Sequence, residues 1–457
     1  MLKVDVSFPS GCGETLALPQ NSTVGELKVL VQKSFRQGFL KLVTEKGHVL
    51  TNPEDSLLTA GIQEGAHLTV VAQQPKVAAT SAAFAIWCCG GHGIVTWGMP
   101  DKGGDSSAVQ DQLQNVQQVR STGGAFAAIL AAGSVATWGD PNYGGNSSAV
   151  QDQLKDVQQV QGTNCLFGGG AFAAVLADGS VVTWGRPSYG GNSSAVQYHL
   201  KNVQQVQATQ QAFAAILADG SVVTWGHPYY GGDSSAVRDQ LQNVHQIQAT
   251  GWAFAAILSD GSVVTWGSQR SGGDSSAVRD QLKNVQQVQA TLGAFAAILA
   301  DESVVTWGST MFGSDSSAVR DQLKNVQQVQ GTFGFTGAAF AAILADKSVV
   351  TWGMPDCGGD SSAVQDQLQN VQQVRSTGGA FAAMLSDGSV VTWGSPYYGG
   401  DSSVVQDQLK NVQQVQGMFG VTGGAFAAIL ADKSVVTWGM PDCVGDSSAI
   451  QLQLQYL

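Results

Sequence analysis

Catalysis needs unlike side chains converging on one point, and this sequence offers few candidates. The six histidines (His48, His67, His92, His199, His227 and His245) fall at unrelated places in the chain's pattern. No HExxH, GxSxG or phosphate-loop spacing occurs. The six cysteines (Cys12, Cys88, Cys89, Cys165, Cys357 and Cys443) have no CxxC spacing and no paired framework. Cys357 and Cys443 share a loop position but stand two repeat units apart, which argues against a shared metal. The best acidic candidates are loops of the type Gly-Gly-Asp-Ser-Ser, whose Asp or Asn recurs at Asp105, Asn146, Asn192, Asp233, Asp274, Asp315, Asp360, Asp401 and Asp446. Calcium would want several carboxylates per loop. Each loop supplies one, and Asn stands in for Asp, as it does at the start of a helical turn. The reading is a non-enzyme with no catalytic residue, no metal and no cofactor.

The elements carrying these residues come from a repeat. Thr-Trp-Gly recurs with its Trp at 97, 138, 184, 225, 266, 307, 352, 393 and 438, at spacings of 41, 46, 41, 41, 41, 45, 41 and 45. A period in this range signals a propeller or a solenoid. Within a unit, Ala-Phe-Ala-Ala-Ile-Leu (from Ala212) and Val-Val-Thr-Trp (from Val222) read as short strands joined at Asp219-Gly220, a strong hairpin signal because Gly tolerates positive φ. Glu302, Lys347 and Lys433 occupy that Gly position in three units, so those turns should be strained or of another type. A further strand around Gln-Val-Gln-Ala-Thr precedes the hairpin, making about three per unit. After Gly-Gly, the Asp or Asn with apolar residues three and four apart predicts a capped helical turn.

Asp219-Gly-Ser-Val-Val-Thr-Trp225-Gly resembles the "DGxVxxWG" stretch of the regulator of chromosome condensation repeat family, and the likeness recurs over about 380 residues. It implies a blade of a β-propeller for each unit. The short period is more similar to compact bacterial members, among them a propeller-shaped β-lactamase inhibitor. Two departures stand out. Family members usually have seven blades, and the family's "HxxAL" strand is here Ala-Phe-Ala-Ala-Ile-Leu. Nine units fit a closed ring with no long sheet edge; an open superhelix is the other arrangement. The first hairpin, Trp87-Cys-Cys-Gly-Gly-His92, is degenerate, as terminal repeats often are.

Residues 1–73 follow another pattern. Leu2, Val4, Val6 and Phe8 alternate, Pro9 to Gly13 turns the chain, and Leu16 and Leu18 alternate again. Thr23 and Glu26 have capping-box spacing, with Val24, Leu27, Leu30 and Val31 on one helical face. Strands are expected at 39–43 and 66–71. The segment from Leu50 through Leu57, Ile62 and Gly65 to Val71 resembles the closing part of ubiquitin-like domains, where a Leu and an Ile tuck under the sheet. After Val71 the chain continues as Ala-Gln-Gln-Pro-Lys with no Gly-Gly end, so the resemblance implies docking rather than conjugation, by a sheet face near Val43 and Val71. The fold class is mainly β: an N-terminal β-grasp (ubiquitin-like) domain at 1–73, a linker and first repeat strand at 74–80, and a β-propeller-like ring of nine repeats of about 41 residues at 81–457.

Hydrophobic residues make up 43% of the chain and charged ones 12%, enough apolar material for packed cores. With 22 Lys and Arg in 457 residues and a net charge of -12, nothing supports nucleic-acid binding. No apolar run reaches membrane-spanning length, and MLKVDVSF lacks a signal-peptide core. The expectation is an intracellular, cytoplasmic or nuclear protein.

Variation between units is the stronger guide to function. The four residues after Trp-Gly read MPDK, DPNY, RPSY, HPYY, SQRS, STMF, MPDC, SPYY and MPDC, and insertions fall before Ala-Phe-Ala. Following the chain up, down and up through three strands puts both variable sets on one face. That face would present Tyr143, Tyr189, Tyr229, Tyr230, Arg270, Phe312, Tyr397 and Tyr398, beside Phe167, Phe333, Phe335 and Phe419. Aromatic loops on a rigid scaffold suit protein recognition. The expectation is a protein-binding scaffold or adaptor with a protein partner on the propeller face and a ubiquitin-pathway partner on the N-terminal domain. Guanine-nucleotide exchange on a small GTPase and substrate recognition beside a ubiquitin ligase are the alternatives. The latter comes from the HERC-like pairing of such repeats with ligase domains, whose HECT catalytic domain has no counterpart here.

Overall fold

The computed structural model describes residues 1–35, 40–73, 75–88, 93–163, 165, 168–420, 423–432 and 434–441. The N-terminal segment folds as β1 (Leu2–Ser7), β2 (Gly13–Leu18), α1 (Val24–Phe35), β3 (Leu40–Thr44), β4 (Val49–Leu50) and β5 (Ala66–Ala72). The sheet order is β2-β1-β5-β3-β4, with β1 and β5 parallel. Alternation in β1, β3 and β5 sends Val4, Val6, Leu40, Leu42, Leu68 and Val70 beneath the sheet, where Leu27 and Val31 of α1 meet them. The helix starts as its spacing predicts. The Thr23 amide donates to the Glu26 carboxylate at 3.1 Å, and the Glu26 amide to the Thr23 hydroxyl at 3.2 Å. Leu57 and Ile62 are both buried in this core. On α1, Lys28 lies near Cys88 of the first repeat unit, and burial pushes its amine down to about 8, helped by Lys41 and opposed by Cys88.

The repeats are mainly β: nine three-stranded antiparallel sheets stand among the described residues. Unit one comprises Pro75–Ala79, Ala83–Cys88 and Val95–Gly98, and unit five comprises Val244–Ala249, Ala253–Leu258 and Val263–Gly267. The others follow suit to unit nine, at Val412–Phe419, Gly424–Leu430 and Val435–Gly439. The middle strand, Ala-Phe-Ala-Ala-Ile-Leu, is apolar at every position because both its faces are covered. Its period of two gives the two faces different sizes. In unit two, Ala125, Ala127 and Ile129 form a shallow face, which receives Phe172, Ala174 and Trp184 of unit three. Phe126 and Trp138, on the other face, enter the shallow face of unit one.

The Phe and Trp of each unit are cross-strand partners, and their rings stack at 5.1–5.2 Å. All nine of these Phe side chains are fully buried, each worth about 1.5–3 kcal/mol of transfer free energy. The indole also bonds across the seam. Trp138 Nε1 donates to the Gly103 carbonyl at 3.1 Å and Trp266 Nε1 to that of Gly231 at 3.0 Å, each acceptor belonging to the preceding unit.

First strands lie beside first strands from each unit to the next, and that of unit nine lies beside that of unit one. Their seam repeats the others: Ala425, Ala427, Ile429 and Val435 of unit nine pack against Phe84, Ile86, Val95 and Trp97 of unit one. The turn after the second strand has positive φ in every described case with Gly, as at Gly220 (78°) and Gly388 (79°). Glu302 (63°) and Lys347 (67°) are held in the same left-handed region, the strain expected of those turns. Lys433 and the first hairpin's 89–92 lie outside the described residues.

The expected helical turns after Gly-Gly are short 3-10 helices such as Ser107–Gln112 and Ser235–Gln240. The preceding Asp or Asn accepts the amide two residues on, Asp105 from Ser107 at 2.9 Å and Asn146 from Ser148 at 2.9 Å. Either side chain has the required oxygen, which explains the exchange between them.

Candidate functional site

The loop after each third strand has a fixed geometry. In unit two, Asp140 leads into a 3-10 turn, Pro141–Tyr143, closed by Gly144 in the left-handed region (φ 89°). Proline pre-sets the backbone of the first turn position. Units without proline adopt the same turn, as at Gln269–Ser271 and Thr310–Phe312. The four loop positions therefore have fixed directions.

The fourth position folds inward. In six units its carbonyl receives a threonine hydroxyl of the same unit, as from Thr122 to Tyr143, Thr291 to Phe312 and Thr377 to Tyr398, each at 2.8 Å. Its side chain packs over the link between first and second strands, so Tyr143, Tyr189, Phe312 and Cys357 are buried and Tyr230 and Tyr398 are half-buried. Burial raises the Cys357 thiol, as does Asp356, the reverse of what a nucleophile needs.

The third position points out in every described unit: Asp101, Asn142, Ser188, Tyr229, Arg270, Met311, Asp356 and Tyr397 are all exposed. Tyr229 is 57% and Tyr397 71% exposed. Of the residues expected on this face, Tyr229, Arg270 and Tyr397 are therefore presented outward. Tyr143, Tyr189, Tyr230, Phe312 and Tyr398 hold the loops down. Phe333 and Phe335 are half-buried against the seam between units six and seven. Phe167 and the side chain of Phe419 lie outside the described residues.

Both variable sets do meet on one face. The Gly170 amide, before the second strand of unit three, donates to the Asn142 carbonyl at 3.0 Å, and the Ala338 amide to the Met311 carbonyl at 3.1 Å. Trp252, half-buried, packs edge-on against Phe312 at 5.9 Å and lies beside Tyr230. In the polar sector, Lys102 bonds Asp140 at 2.8 Å and sits 4.6 Å from the centre of the Tyr143 ring.

Sequence reasoning missed the methionines. Met99, Met311 and Met354 are all exposed, Met99 and Met354 at the first loop position and Met311 at the third. At the third position, units four, five, six and eight carry Tyr229, Arg270, Met311 and Tyr397, whereas units one, two, three and seven carry Asp101, Asn142, Ser188 and Asp356. The pointer was the Gly that follows in eight of the nine units, which fixes the turn there and hence the exposed position.

On the N-terminal sheet, Val43 and Val71 lie on the side opposite the core. Val43 is half-buried and Val71 is 39% exposed. Among the described residues, no group of three or more His, Cys, Asp or Glu is placed to hold a metal ion, and no helix is long and apolar enough to cross a membrane.

The chain is thus a mainly β protein of repeated three-stranded sheets behind a mixed α and β segment. No protein-family model matches it, and no curated protein does. Among solved structures it is similar to Prp20p of Saccharomyces cerevisiae, whose crystal structure is described with its binding to Gsp1p and histones. The identity is 13%, over 83% of this chain and 96% of that one, with a TM-score of 0.41. Yeast RCC1 (Prp20) bound to Kap60 is 14% identical over 74% of this chain and 83% of that one, with a TM-score of 0.39. The N-terminal ubiquitin-like domain of the 4931431F19Rik protein is 25% identical over 17% of this chain and 81% of that one, with a TM-score of 0.15.

Proposed function

We propose that this chain is a non-enzymatic, intracellular protein-binding scaffold: a ubiquitin-like β-grasp domain followed by a closed nine-bladed propeller that recognises a protein through its variable-loop face. The observation that carries the reading is the set Tyr229, Arg270, Met311 and Tyr397, exposed at the outward third loop position of units four, five, six and eight, where the backbone is fixed. Tyr, Arg and Met are the residue types enriched where proteins bind proteins. Rigid loops reduce the ordering cost of association. Closure is supported by the seam between units nine and one, which uses the same residue positions as the internal seams. A docking role of the N-terminal domain toward ubiquitin-pathway proteins is supported by the outward Val71 and Val43.

The test compares substitutions at one structural position around the array. Tyr229→Ala, Arg270→Ala and Tyr397→Ala should each remove captured partners, while Asn142→Ala and Ser188→Ala should retain them, with circular dichroism unchanged throughout. A partner set insensitive to the first three would remove this face as the binding site.

A further inference from the structure

The first strands of units nine, one, two and three line an open hollow of about 640 Å³. Lys76 and Arg120 line it together with Gln118, Gln161, Gln414 and Gln416. Two features set these charges apart. None of the nine first strands contains an Asp or Glu, although the chain as a whole carries a net charge of -12. Moreover, Arg120 takes the place, two residues before the conserved threonine, where six other units have Gln. Arg375 takes it in unit eight, next to unit nine. The surrounding walls lower both guanidinium pKa values, and no acid opposes the effect. Nε of Arg375 is buried and has no hydrogen-bond acceptor among the described residues. Trp87, with a buried indole N–H likewise without one, also contributes to the wall.

Lys76 and Arg120 reach solvent along this hollow with no acid on the strands beside them, and Gln161 and Gln416 each spend one carboxamide donor on a backbone carbonyl and keep a second, so donor capacity is left for an anion. A guanidinium matches phosphate oxygens in a bidentate fork, with an ammonium as a point charge beside it. The volume is that of a small-molecule site. We propose that this hollow binds a small phosphate-bearing molecule, with Arg120 and Lys76 as its charged contacts, the glutamine carboxamides as neutral donors, and Arg375 bordering it.

The repeat itself supplies the test variants. Arg120→Gln, Lys76→Gln and Arg375→Gln each install the residue that most units carry at that register, so the fold should be retained. Arg238→Gln, on an exposed 3-10 turn where other units also have Gln, is the control. Inorganic tripolyphosphate is titrated into the full chain by calorimetry, at low and at physiological salt. The expected result is one saturable site, weakened about tenfold or more by Arg120→Gln and by Lys76→Gln, less by Arg375→Gln, and not by Arg238→Gln. Absence of saturable binding would overturn the proposal, as would equal binding by Arg120→Gln and the parent. Preference for an Asp/Glu-rich peptide over tripolyphosphate, with the same arginine dependence, would overturn the ligand class.

Discussion

The strained turn at Lys347 permits a test in which the repeat is its own control. Lys347 has φ of 67° where Gly388 has 79° at the corresponding place in the next unit. A residue with a Cβ gives up about 1 kcal/mol or more in the left-handed region. Glycine loses about 0.4–1 kcal/mol through its greater freedom when unfolded, so Lys347→Gly should stabilise by about 0.5 kcal/mol. The reverse change, Gly388→Ala, meets a further obstacle. A Cβ there would stand 2.9 Å from the Cα and 3.2 Å from the N of Asn411, backbone atoms of the following unit. Strain and contact together put its net cost at about 1.5–2 kcal/mol. Lys347 is the cleaner site because its side chain is exposed, whereas Glu302 accepts a bond from Gln327 at 3.0 Å that its removal would sacrifice. The assay is guanidinium unfolding followed by indole fluorescence, with the m-value checked for constancy. A destabilised Lys347→Gly, or a neutral Gly388→Ala, would refute the argument from backbone conformation.

Two further outcomes follow from contacts between units. Trp266→Phe deprives the Gly231 carbonyl of its donor at 3.0 Å and trims a buried stack, for a loss of about 2–3 kcal/mol; thermal denaturation with no loss would contradict the role of the indole bridge. At Asp140, burial pushes the carboxyl up, but hydrogen bonds from Lys102 and Asn142 outweigh it and hold the pKa below the usual value. A depressed acid stabilises above its unfolded pKa of about 4 and loses that contribution as pH falls through the lower folded value. Asp140→Asn should therefore cost about 1 kcal/mol or less at pH 7, and the two proteins should converge in stability once the pH has fallen below that depressed folded value; a gap that persists in acid would exclude the ion pair as its cause.

The strands were legible because alternation and the Thr-Trp-Gly period are local signals that tertiary packing reinforces. The same holds for the capping box at Thr23 and Glu26 and for the burial of Leu57 and Ile62. Strand β4, with only Val49 and Leu50, was too short to leave a pattern. For the variable loops, composition was legible and direction was not. Tyr229 and Tyr230 are neighbours of identical chemistry, yet the first is exposed and the second folds toward Trp252. The difference lies in a one-turn helix and the left-handed glycine after it, which act over four residues and leave no hydrophobic periodicity. The exposed methionines were passed over because that side chain usually fills cores.

The seam between units nine and one resembles the others in its contacts but differs in the length of chain it closes. An internal seam joins neighbouring units, whereas this one joins segments at the two ends of the array. A loop about eight times longer adds about 2 kcal/mol to the entropy lost on closure, with no additional contact to offset it. Assembly should therefore run inward from any local pair of units and reach this junction last. Unfolding should begin by parting it, so that amide protons along Ala83–Cys88 and Gly424–Leu430 exchange ahead of those in equivalent strands elsewhere. A molecule held by Lys76 of unit one together with Gln414 and Gln416 of unit nine would sit across that junction and act as its clasp.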